Sequence, residues 1–63
     1  MTNEEWERLD AAANELDNKV SKNGVIVACD VDGILVVGEN IDIVKSVVGT
    51  EWRGYQVRFT TDW

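Results

Sequence analysis

The chain has no histidine, no proline and a single cysteine, Cys29, and each shortage removes a class of chemistry. Without imidazole there is neither the usual general base nor the usual zinc ligand, and a lone thiol cannot close an internal disulfide. Packing alone is expected to hold the fold together. Basic residues are scarce, six against twelve acidic ones, for a formal charge of −6. That balance argues against direct contact with nucleic acid or anionic membrane and favours a basic partner, although the same charge also keeps a small protein soluble. No apolar run approaches the roughly 20 residues of a membrane span. The opening TNEEWERLD is acidic and polar, unlike a secretory signal, so a cytoplasmic location is expected. No metal or cofactor is expected. A chain of 63 residues makes one domain, residues 1–63, near the size limit at which about 60% of the unfolded surface is buried.

What is present is concentrated in residues 25–38, VIVACDVDGILVVG. Two runs rich in β-branched residues meet at Asp32-Gly33, a pair suited to the tight turn of a hairpin. A two-residue turn there puts Val27, Cys29, Val31, Ile34 and Val36 on one face and Ile26, Ala28, Leu35 and Val37 on the other. Both faces are apolar. Cys29, mid-strand among apolar neighbours, is expected to be an inert thiol with a raised pKa.

Ahead of the hairpin, Thr2 and Glu5 have capping-box spacing. Trp6, Leu9, Ala13, Leu16 and Val20 then recur at intervals of 3, 4, 3 and 4, the stripe of an amphipathic helix with Trp6 expected in the core. Glu4 with Arg8 and Glu15 with Lys19 are i,i+4 pairs worth about 0.3 to 0.5 kcal/mol each. Asn23-Gly24 stops the helix. After the hairpin, Asn40 is a candidate cap for a second helix in which Ile41, Val44 and Val48 share a face flanked by Ile43 and Val47, and Gly49 ends it. A loop, TEWRG, leads to Tyr55, Val57, Phe59 and Thr61 alternating with polar residues, a half-buried strand.

The expected class is α+β: an α-β-β-α-β chain forming a three-stranded sheet of order 2-1-3, VIVAC central, the last strand antiparallel to it and both helices on one face. Ile26, Ala28, Leu35 and Val37 then have nothing to cover them, which marks an oligomer interface, most simply that of a homodimer packed sheet on sheet.

The run VIVACDVDGILV resembles the first motif of the haloacid-dehalogenase-type phosphatases, an apolar strand followed by D-x-D-G-T. The resemblance implies a nucleophile at Asp30, an acid/base at Asp32 and a magnesium ion held with them. It covers about ten residues and departs at Ile34, where that family keeps threonine or a similar small residue. The chain is also too short for the family's α/β core, and the hairpin turn accounts for Asp32-Gly33 without catalysis. Other constellations are missing: there is no Gly-rich phosphate loop, and Asp30-x-Asp32 lacks the later ligands of an EF-hand.

A non-enzymatic role is therefore expected, in one of two forms. In the first, the acidic helix meets a basic protein surface: six carboxylates fall between Glu4 and Asp17, and such an array imitates the charge of a nucleic-acid backbone. Glu4, Glu7, Asp10 and Asp17, with Trp52 and Trp63 as aromatic anchors, are the candidate partner-binding residues. Small acidic proteins of this kind include phage and mobile-element inhibitors of host nucleic-acid enzymes, anti-CRISPR proteins among them. In the second form, a subunit boundary lined by Trp52, Arg53, Tyr55 and Arg58 holds a small anion such as a nucleotide.

Overall fold

A computed structural model describes residues 2–61. The elements run α1 (Asn3–Val20), a single 3₁₀ turn (Ser21–Asn23), β1 (Val25–Asp30), β2 (Gly33–Gly38), α2 (Ile41–Val48), β3 (Glu51–Trp52) and β4 (Tyr55–Thr60). The chain is α+β, with both helices on one face of a mixed four-stranded sheet.

Helix α1 starts where its sequence says it should. The Thr2 hydroxyl accepts the Glu5 N–H at 3.2 Å, capping one of the orphan donors of the first turn. Leu9, Ala12, Ala13, Leu16 and Val20 form the buried stripe. Trp6, expected in that stripe, is instead 37% exposed, because it lies three residues nearer the helix N-terminus, at the end of the buried segment. Gly24, at φ 74°, turns the chain out of the 3₁₀ turn and into β1.

The hairpin faces are as expected, with Ile26 opposite Val37, Val27 opposite Val36 and Cys29 opposite Ile34, but the turn sits one residue earlier. Asp30 pairs with Gly33, so Val31 and Asp32 form the turn. Val31 is therefore not on the core face; it stands at the tip, 69% exposed. The Asp30 carboxylate accepts the Asp32 N–H at 2.8 Å, an Asx turn that replaces the expected glycine geometry. Gly33 serves a different need: a Cβ there would lie 2.5 Å from the Gln56 carbonyl oxygen of the neighbouring strand.

The sheet order differs from 2-1-3. It is β1-β2-β4-β3, with β2 central and β4 parallel to it, Ile34 level with Val57 and Val36 with Phe59. The reason is occupancy of the helix face. Helix α1 packs over β1, so α2, on the same face, lies on the other side of β2 and returns the chain to the adjacent position about 4.8 Å away. Burial agrees: Ile34, Val36 and Val37 of β2 are buried, whereas in β1 only Val25 is. The expected loop TEWRG is a second hairpin. Glu51 pairs with Gln56 and Trp52 with Tyr55, and Arg53 and Gly54 turn between them at φ 55° and 85°, the left-handed pair of a type I′ turn.

One core lies between helices and sheet. Leu9, Leu16, Val20, Ile34, Val36 and Val44 are completely buried, with Val27, Cys29, Ile41, Val48, Trp52, Tyr55 and Phe59 packed around them. In α2 the expected face of Ile41, Val44 and Val48 is the packed one, while the flanking Ile43 and Val47 are exposed. Asn40 does not cap α2 through its side chain; its amide instead donates to the Asn23 carbonyl at 3.0 Å, tying the start of α2 to the end of the 3₁₀ turn.

Candidate functional site

At about 100° per residue, the surface of α1 divides into two flanks on either side of its buried stripe. One flank carries Glu4, Arg8, Glu15 and Lys19, and here charges are matched. Arg8 pairs with Glu4 at 3.3 Å. Glu15, expected to pair with Lys19, is engaged by Arg53 from the β3–β4 turn. Lys19 lies 5.5 Å from the centre of the Trp52 ring, and Arg53 stacks over the same ring at 5.6 Å, both within cation–π range.

Trp52 fastens this flank to the sheet. Its Nε1–H donates to the Ala12 carbonyl at 3.0 Å, and its ring packs against the core. The residue expected to anchor a partner is thus used within the chain. Trp63, the other aromatic candidate, lies outside the described residues.

The opposite flank is different. Trp6, Glu7, Asp10 and Asp17 fall within an arc of about 100° and none of the three carboxylates has an ion pair among the described residues. Asp10 accepts only the neutral amide of Asn14, at 3.4 Å. Glu7 and Asp10 are exposed and Asp17 is half-buried. Helix α1 packs chiefly on β1; burial first, and then the charges of Asp10 and Asp30, push the Cys29 thiol pKa up. The raised value agrees with the expectation for a thiol among apolar side chains.

The helix-free face of the sheet carries Ile26, Ala28, Leu35 and Val37 as expected, with Asp30, Gln56, Arg58 and Thr60 beside them. Ile26 is 61% exposed, whereas Val37, in the central strand, is 5% exposed. Arg58 Nη2 donates to Asp30 Oδ2 at 2.6 Å. That bond first, and the Asp32 N–H second, hold the Asp30 carboxyl below the usual carboxylate range. Arg58 Nε is buried without a hydrogen-bond partner among the described residues.

The four residues expected to hold an anion do not converge in one protomer. Trp52 and Tyr55 are opposed in the hairpin and pack against the core; Arg53 is committed to Glu15 and Trp52; and Arg58 points to the other face, toward Asp30. In the D-x-D motif the first carboxylate is held by Arg58 and the Asp32 N–H. Asp30 ends an edge strand, Asp32 is in the hairpin turn, and the described residues contain no cluster of three or more groups able to hold a metal ion. No helix among the described residues is long and apolar enough to cross a membrane.

What sequence reading missed is the division of charge between the two flanks. Periodicity separates Glu7, Asp10 and Asp17 from Glu4 and Glu15, but the pairing of Glu15 comes from Arg53, 38 residues away. Comparisons with protein-family models, with curated proteins and with solved structures return no match.

Proposed function

We propose that this protein acts by binding, through the flank of α1 that carries Glu7, Asp10 and Asp17, to a basic surface of another protein. The observation that supports it is the asymmetry of α1. Carboxylates on one side are matched by Arg8 and Arg53, while those on the other have no ion pair among the described residues and lie beside an exposed Trp6. Unmatched like charges on a rigid helix cost electrostatic free energy in the free protein, and a cationic partner relieves it. The exposed tryptophan serves as an aromatic anchor beside these carboxylates.

A basic groove that binds nucleic acid presents the required charge, and an acidic helix about 27 Å long competes for it as a mimic of the phosphate backbone. This is the mode of action of a phage or mobile-element inhibitor of the anti-CRISPR kind, and it requires no catalytic group. The helix-free face, with Ile26 exposed, supports self-association as an additional property.

The test is capture of host proteins on immobilised wild-type protein and on a Glu7→Lys, Asp10→Lys, Asp17→Lys variant, each at low and at high salt. Nucleic-acid-binding proteins retained by the wild type at low salt, lost with the variant and displaced by DNA, support the proposal. Capture that withstands both the charge reversal and high salt overturns it.

A further inference from the structure

β1 is an edge strand of six residues, and on its outer side no backbone or side-chain hydrogen bond is made among the described residues. Such an edge is ordinarily blunted by a charge pointing inward, a bulge or a covering loop. Here Val25 to Cys29 is an uninterrupted apolar run, paired in regular register with β2.

The edge and the acidic flank are adjacent. Trp52 and Arg53, on the β4 side of the sheet, grip the flank of α1 that carries Ala12, Glu15 and Lys19. Helix α1 packs chiefly on β1, so the opposite flank lies toward the free side of that strand. From Glu7 to Asp17 the carboxylates extend about 15 Å along the helix, the length of four or five strand residues.

We propose that the partner's basic segment adds as an extended strand to the free edge of β1, lysine or arginine side chains directed at Glu7, Asp10 and Asp17 and apolar side chains toward Ile26. This deepens the reading of the acidic flank and rests on it. The alternation follows from the pleat: residues of an added strand on the helix side of the sheet meet the carboxylates, and those on the other side continue the row of Ile26 and Ala28. Charge selects this occupant over a second copy of the chain, since edge-to-edge pairing of two copies would bring two unpaired acidic flanks alongside each other.

The experiment titrates the full chain with a ten-residue peptide of alternating lysine and valine, and with the same peptide N-methylated at every residue, which keeps the charge and removes the strand's donors. Amide NMR follows Val25–Asp30. The proposal is supported if the first peptide shifts those amides, slows hydrogen exchange at alternate ones, and binds at least about tenfold more tightly than its methylated counterpart, the roughly 1.4 kcal/mol that tenfold represents. Equal binding of the two peptides, abolished by the Glu7→Lys, Asp10→Lys, Asp17→Lys variant, overturns strand addition and leaves the acidic flank standing. Binding of the unmethylated peptide that is unaffected by the triple variant overturns the acidic-flank reading as well. Absence of binding at millimolar peptide overturns strand addition, as does concentration-dependent protection of the β1 amides without peptide that persists in an Ile26→Lys, Leu35→Lys variant, which would make a second copy the occupant of the edge.

Discussion

Arg58 of β4 reaches Asp30 of β1 across the intervening strand β2. Asp30 is opposite Gly33, Arg58 is level with Leu35 two residues further along β2, and the guanidinium bonds the carboxylate at 2.6 Å. The pair ties the hairpin turn to β4 and lies at the end of the helix-free face. Because the folded-state pKa of Asp30 is depressed, its contribution to stability is complete above the ordinary carboxylate pKa and is lost as pH falls through the lower, folded value. Asp30→Asn is expected to lower the melting temperature at pH 7 and to flatten its decline in acid. Identical acid profiles for wild type and variant would show that the pair is not linked to folding.

Replacing Gly33 is expected to be among the most damaging single changes. A Cβ would clash with the Gln56 carbonyl at 2.5 Å, and the φ of 126° is strained for any L side chain. Gly33→Ala is expected to cost more than about 2 kcal/mol. Gly24→Ala is the control, since its backbone is left-handed at φ 74° and ψ 28° but the added atom meets only the Asn40 amide at an ordinary 3.8 Å; about 1 kcal/mol is expected there. Urea denaturation of both variants measures the difference.

The two ends of the α1 stripe are expected to behave oppositely. Leu16→Ala opens a cavity in the centre of the core, where Leu16 is fully buried, at a cost of about 2 to 5 kcal/mol, enough to unfold much of so small a domain. Trp6→Ala is expected to cost less than about 1 kcal/mol while weakening partner capture. A large loss of stability on removing Trp6 would return it to the core role that its spacing suggests.

Self-association through the helix-free face is expected to depend on Ile26 and Leu35. Sedimentation velocity across a range of concentrations is expected to show a dimer that Ile26→Lys with Leu35→Lys converts to monomer without loss of helical content. A wild type that stays monomeric at high micromolar concentration rules that face out as a self-association surface.

Local chemistry was legible without coordinates. The Thr2 cap, the 3.6-residue stripe from Leu9 to Val20, the period of two through the hairpin and the stop at Gly49 all depend on residues a few positions apart, and each is found. So is the placement of both helices on one face, which follows from how little chain there is to cover a sheet apolar on both sides. Two local expectations failed, the turn at Asp32-Gly33, which sits one residue earlier, and the Asn40 side-chain cap; the other failures depended on distant partners. Trp6 has the correct spacing for the core but lies beyond the sheet that would bury it. Glu15 has the correct spacing for Lys19 but meets Arg53.

The tertiary structure alone decided which strand is central. VIVACD and GILVVG are comparably apolar, and pattern cannot rank them; α1, packed over the first, leaves α2 to bring β4 beside the second, and the first stays at the edge. It alone also decided which acidic residues are neutralised, because Arg53 and Arg58 select their carboxylates through the β3–β4 turn and the register of β4 with β2. Side-chain period is a property of one segment, whereas strand order and ion pairing are settled where segments distant in the chain come into contact.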